Sequence, residues 1–220
     1  MKETIFLMTA AIVSCIVFFT SCGERGNGDN NNPAIGKTIQ IDVASSWGTW
    51  NYFSFSKGEI VGTGDASETA DAEWKARTDW DIAFTRLYAR TNSGASGNGN
   101  GGVIEIEAEN ANKATVFANL VTAPSSDYIA DKVEAGLMIA MGSPSGPTTY
   151  DAGSSATVNS WLTMAMPVEV KPKVFALKTA DEKYVKIYLK SYQNDEGKSG
   201  VITMEYVYQA DGTEDLSVSE

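Results

Sequence analysis

The chain contains no histidine. That absence removes the Ser-His-Asp triad, the Cys-His pair and every zinc site built on imidazole. Any metal or cofactor must be held by carboxylate, tyrosine, lysine, methionine or cysteine. Cysteine is nearly as scarce, with two in 220 residues, Cys15 and Cys22. Basic residues are few and scattered: 17 Lys and Arg stand against 28 Asp and Glu, a net charge of −11. No Lys/Arg-rich run exists, which argues against nucleic acid and against docking on an anionic membrane surface. The acidity itself reads as solubility. Only one long apolar run is present, from Ile5 to Phe19, and it is too short for a comfortable membrane span.

That run follows Lys2 and ends "FFTSC", which has the shape of a secretory signal closing on a lipoprotein-type cysteine. We expect residues 1–21 to be a lipoprotein signal peptide and Cys22 to carry lipid (palmitate among the acyl chains). Cleavage before Cys15 would leave Ile16 to Phe19 exposed, so Cys22 is preferred. Both cysteines are then used, and the exported domain is expected to fold without a disulfide. The Gly/Asn-rich stretch 22–36 reads as a flexible tether, 37–212 as one domain and 213–220 as a C-terminal tail.

Alternation dominates the domain. Residues 38–43, 49–55, 80–90, 103–109, 172–179, 183–192 and 200–209 read as strands. In 183–192, Val185, Ile187 and Leu189 form one face; Lys186 and Lys190 lie on the other, beside Tyr184, Tyr188 and Tyr192. Residues 67–77 and 110–119 read as short helices, and 92–102 ("NSGASGNGNGG") as a flexible surface loop. The expected fold is all-β: a single antiparallel meander or sandwich with few short helices and projecting loops. Trp80, Phe84 and Met204 are expected in the core.

Seven methionines are present, and four of them, Met138, Met141, Met164 and Met166, fall within 138–166. On residue type alone, methionines at strand spacing read as core filler. Asp79 and Asp81 form the nearest thing to a catalytic carboxylate pair, but alternation puts them at a solvated strand entry. No catalytic motif is found and no catalytic residue is assigned. Tyr184, Tyr188 and Tyr192 offer a stacking platform, so a carbohydrate- or peptide-binding lipoprotein is one available reading.

Residues 49–62 ("TWNYFSFSKGEIVG"), 78–103 ("TDWDIAFTRLYARTNSGASGNGNGGV") and 173–209, with its Tyr/Lys-rich last hairpin, resemble the HmuY family in order and over nearly the whole domain. The resemblance implies a haem-binding, haemophore-like lipoprotein of Bacteroidota, anchored in the outer membrane at the cell surface. It implies iron acquisition with no catalysis, and transfer of haem to a TonB-dependent outer-membrane transporter. The family's founding member holds haem iron through two histidines, and other members use two methionines. This chain, lacking histidine, is expected to take the second course, with iron protoporphyrin IX as cofactor.

Thioether is a soft, neutral donor that favours ferrous iron, so reduced haem is expected to bind better. Met164 and Met166 are two apart on an expected strand, share a face and cannot clamp one iron from opposite sides. One axial ligand is therefore expected from Met138 or Met141 and the other from Met166 or Met164, with Met138 and Met166 the preferred pair. Between them, 142–160 is expected to form a projecting loop. Trp161, Leu137, Ile139 and Tyr150 are candidate pocket walls; Lys171, Lys173 and Arg90 are candidate propionate partners. Tyr150 and Tyr128 are rival iron ligands.

Overall fold

The structure is a computed structural model and describes residues 34–108, 111–143, 146–163 and 167–218; for 138–143 and 146–147 it gives the backbone alone. The expected signal peptide, Cys22 and the tether as far as residue 33 lie outside the described residues. In chain order the elements are β1 (Ile35–Asp42), β2 (Thr49–Ser54), β3 (Glu59–Asp65), α1 (Glu68–Lys75), β4 (Ile82–Phe84), β5 (Ala89–Thr91) and β6 (Gly102–Glu105). They continue with α2 (Lys113–Asn119), β7 (Lys132–Ser143), β8 (Gly146–Ser154), α3 (Ala156–Asn159), β9 (Leu162–Thr163), β10 (Glu169–Val170), β11 (Lys173–Lys178), β12 (Tyr184–Gln193) and β13 (Ser199–Gln209).

Alternation on β12 sets the first sheet. Val185, Ile187 and Leu189 are fully buried on its inner face, as period-two patterning requires. Five strands pair antiparallel in the order β1-β13-β12-β11-β6, and four more in the order β3-β2-β4-β5. The inner faces of the two sheets share one apolar cluster, which holds Trp50, Trp80, Phe84, Phe175 and Met204. Tyr206 of the first sheet meets Phe53 and Phe55 edge-on, at ring distances of 5.8 and 5.1 Å, an arrangement aromatic quadrupoles favour. Tyr52 stacks on Trp74 of α1 with centroids 3.7 Å apart. The helix itself starts at Ser67, whose hydroxyl accepts from the Ala70 N–H.

The all-β expectation holds, with local differences. Residues 80–90 do not form one strand: β4 and β5 pair as a hairpin, Phe84 opposite Ala89. The Arg86 carbonyl at its turn accepts from the Tyr192 hydroxyl, so tertiary contacts bend a run that alternation alone would leave straight. On β12 the register shifts between Leu189 and Gln193. This bulge turns Tyr192 into the core, away from Tyr184 and Tyr188. The C-terminal segment, expected as a tail from 213, is held down where it is described: Leu216 is fully buried and donates to the Val121 carbonyl. At the other end β1 begins at Ile35, inside the stretch read as tether.

The Gly/Asn/Ser loop 92–102 is packed, not flexible surface. Asn92 is fully buried; its amide donates to the Arg77 and Trp80 carbonyls at 3.0 and 2.9 Å and accepts from the Gly99 N–H at 3.0 Å. A side chain at Gly99 would sit 2.7 Å from the Ala180 Cβ. The glycines are there because two backbones meet, an intent that composition cannot distinguish from flexibility. Asp131 closes the same loop: its carboxylate accepts from the Thr91 N–H, the Thr91 hydroxyl and the Ser96 hydroxyl at 2.6–2.8 Å. Asp81, expected to be solvated, is buried instead and accepts from the Phe55 and Ala180 N–H groups.

Arg90 ties the sheets to β8. It is 1% exposed. Its guanidinium lies 3.6 Å over the Trp50 ring, donates to Asp71 at 2.8 Å and donates to the Tyr150 hydroxyl at 2.9 Å. The Trp50 indole N–H donates to that same hydroxyl at 2.7 Å.

Two predictions follow from these buried polar groups. Tyr150→Phe leaves an indole N–H and an arginine N–H unpaired, and each orphaned donor costs about 1–3 kcal/mol. Urea unfolding should therefore show a loss of roughly 3 kcal/mol. Burial raises the Asp81 and Asp131 carboxyls to about 6. Each binds its proton more tightly folded than unfolded, so protonation stabilises the fold as pH falls through about 6 and the gain is complete below the ordinary carboxylate value of 3.8. Lowering pH from about 7 to about 5 should add roughly 1 kcal/mol per group. Asp81→Asn and Asp131→Asn should each remove their share of that gain when unfolding is measured at both pH values.

Candidate functional site

Two small hairpins stand apart from the sheets and are rooted in the shared core. The first is β7–β8. Its pairing runs from Lys132 opposite Ser154 to Glu134 opposite Ala152, then jumps to Leu137 opposite Tyr150, so β7 carries one extra residue. Gly136 sits in the gap at φ +68 and donates its N–H to Asp151 at 2.8 Å. A left-handed residue at a bulge is a glycine position. The bulge turns Leu137 into the core, where it is buried, and Tyr150 across from it is tied to Trp50 and Arg90. Met138 follows directly, opposite Thr149, and Met141 lies three residues farther along β7. Their side chains are not among the described atoms.

The second hairpin is β9–β10. Thr163 pairs with Glu169 and Leu162 with Val170. At its base Trp161 is buried, meets Tyr192 edge-on at 6.1 Å, and accepts at its carbonyl from the Lys171 N–H at 2.7 Å. Leu162, Val168 and Val170 join the same cluster as Leu137 and Tyr150. Met164 and Met166 belong to the link between β9 and β10, and 164–166 lie outside the described residues. Helix α3 joins the hairpins and is fixed at both ends: Ser155 caps its start, and Asn159 accepts from the Ala89 N–H at 2.7 Å. The expected loop 142–160 is thus mostly ordered as β8 and α3. Pairing with β7 organises a Gly/Thr-rich stretch that has weak strand propensity of its own.

The expected polar partners are differently placed. Arg90 is buried and committed to Asp71 and Tyr150, so its guanidinium is part of the scaffold. The Tyr150 hydroxyl already accepts two hydrogen bonds, and burial pushes its pKa up, which disfavours the phenolate an iron ligand would need. Tyr128 packs beside Tyr184 at 6.2 Å, on the five-stranded sheet; its hydroxyl is buried and its pKa is likewise pushed up by burial. Lys173 pairs with Glu105 at 2.7 Å. Lys171 is exposed next to Trp161 and is the cation best placed for an anionic group at that hairpin.

The tyrosine platform does not form as a set of three. Tyr192 is in the core, Tyr188 packs against Phe117, and Tyr184 lies beside Tyr128. Asp79 and Asp81 also part company: Asp79 pairs with Arg77 and Lys57 at the surface, and Arg77 holds its carboxyl down to about 2. The groups that sequence reasoning missed are Gly136, Asp151 and the β12 bulge. Gly136 was visible as a lone glycine inside an apolar run, which marks a bulge; nothing local marked the other two.

No curated protein sequence matches the chain. Among solved structures, a candidate HmuY-like haem-binding protein of Bacteroides vulgatus is 24% identical, over 79% of this chain and 92% of that one, with a TM-score of 0.61. A HmuY analogue of Tannerella forsythia in its apo form is 21% identical over 82% of this chain and 99% of that one, also at 0.61. A candidate lipoprotein of Bacteroides fragilis matches at 21% over 82% and 92%, again at 0.61. These likenesses establish the fold. The family model described as HmuY protein matches residues 46–206, from the loop before β2 to β13. The chain therefore belongs to the HmuY family.

Proposed function

We propose that the protein is a haem-capturing surface lipoprotein that grips the iron through two thioethers, one from β7 and one from the β9–β10 link, and performs no catalysis. The observation that supports this reading is the position of methionine in the chain. In a family member without histidine, Met138 and Met141 lie on β7 and Met164 and Met166 fall in sequence between β9 and β10, and the bases of those two hairpins share one core. Met138 and Met166 are the preferred pair, with Met141 and Met164 as alternates. Trp161 and Leu137, at the two hairpin roots, are the proposed apolar walls, and Lys171, exposed beside Trp161, is the proposed propionate partner. Tyr150 contributes by holding the β7–β8 root, not by touching iron.

Two neutral thioethers supply soft axial donation to a bound porphyrin iron, which favours the ferrous state. Thioether does not protonate, so ligation should survive at a pH where imidazole would release. Lipid on Cys22 would keep the domain on the outer membrane without a basic patch, positioned to pass haem to a TonB-dependent transporter. The carbohydrate or peptide reading loses its main support with Tyr192 buried.

Two measurements test the proposal. The purified domain is titrated with ferric and with dithionite-reduced haem at pH 7 and pH 5. Tighter ferrous binding, retained at pH 5, is expected, and the Soret shift should vanish in Met138→Ala and Met166→Ala. Free-haem spectra in both redox states would refute haem capture; loss in Met141→Ala or Met164→Ala instead would reassign the ligands. Separately, Cys22→Ser should move the protein from the detergent-extracted membrane fraction to the soluble one, and unchanged membrane retention would overturn the anchor.

A further inference from the structure

Among the described residues, the outer face of the five-stranded sheet is only partly covered. Helix α2 packs Phe117 over Val174 and Val207 but spans just seven residues. Beyond it, between α2, β1, β13 and the C-terminal segment, lies a groove of about 660 Å³. That volume is in the range of small-molecule sites. Phe117 and Val207 are buried in its lining, and Val121 and Val218 are each 49% exposed at its rim. Its polar side chains include two lysines, Lys37 and Lys186, in a chain of net charge −11. Glu205 also faces the groove, but it is paired with Lys190 at 3.1 Å.

Lys186 is the unusual member. Its side chain is almost wholly buried, and among the described residues it makes no ion pair. Its ammonium donates to the Leu120 carbonyl at 3.0 Å at the end of α2 and lies 5.0 Å over the Phe117 ring. An ammonium has three donors, and a buried charge without a counter-ion is costly. Burial accordingly lowers its proton affinity, with Glu205 opposing weakly. An apolar channel with a cation at its wall suits an amphiphile with an anionic head.

We propose that this groove binds a long-chain fatty carboxylate, its alkyl chain along Phe117, Val121, Val207 and Val218 and its carboxylate on Lys186, with Lys37 at the mouth. The site is on the outer face of the sheet, is built from elements other than the two hairpins and is independent of the haem reading.

The test is calorimetric titration of the full chain with laurate below its micelle concentration, and with 1-dodecanol as the uncharged match. Saturable 1:1 laurate binding is expected, at least tenfold tighter than dodecanol. Lys186→Met should weaken laurate at least tenfold and leave dodecanol unchanged, while Lys186→Arg restores most of the affinity. Val121→Glu, at an exposed rim position that does not threaten folding, should also weaken laurate. Non-saturable uptake, equal binding of laurate and dodecanol, or laurate affinity indifferent to both Lys186→Met and Val121→Glu would overturn the site. Haem titration of the same variants should match the unaltered chain, which separates this site from the methionine hairpins.

Discussion

A guanidinium shut away from water ties this fold together. Arg90 lies flat on Trp50, meets Asp71, and shares the Tyr150 hydroxyl with the Trp50 indole. Burying a cation is costly unless it is paired and hydrogen-bonded, as this one is. The network therefore fixes four elements at once: β2, α1, β5 and β8. The hairpin carrying Met138 and Met141 is attached through β8. Its position relative to the sheets is thus set by buried electrostatics at its root.

The same economy runs through the loop 92–102. Asn92 accepts from the Gly99 N–H inside the loop and donates to the Trp80 carbonyl, Asp131 accepts from the Thr91 N–H at its start, and Asp81 accepts from the Phe55 and Ala180 N–H groups beside it. The glycines let that backbone close on Asn92 and Ala180. The result is a packed, hydrogen-bonded loop made from residues that elsewhere signal mobility. It also gives the protein two carboxyls whose titration favours the folded state in mild acid, opposite in sign to the acid lability of a protein held by exposed ion pairs.

Those features suit the proposed role. A ligand-gripping hairpin needs a fixed root. Here each root is pinned, by Leu137 and Tyr150 on one side and by Trp161 on the other. The proposed donors are sulfur, which needs no proton released and no tautomer set. In the proposed function, thioether in place of imidazole would change which iron state is favoured and remove the ligand's own titration.

How much of this was written in the sequence depends on range. The alternation of β12 up to its bulge, the short helix within 67–77, and the burial of Trp80, Phe84 and Met204 were all legible, because the period of a strand or helix is a local property. So was the gathering of methionine in a chain without histidine, which made thioether the preferred candidate donor, with tyrosine as its rival. The β4–β5 turn, the β12 bulge that carries Tyr192 inward, the ordering of 146–159 and the burial of Arg90 were not. Each is decided by a partner far along the chain: the Tyr192 hydroxyl 106 residues from Arg86, the Tyr150 hydroxyl 60 residues from Arg90. Sequence alone fixed which faces must be dry and which donors exist. Only the tertiary structure decided which polar groups are enclosed, since the desolvation that makes such a group structural is created by neighbours that no local pattern names.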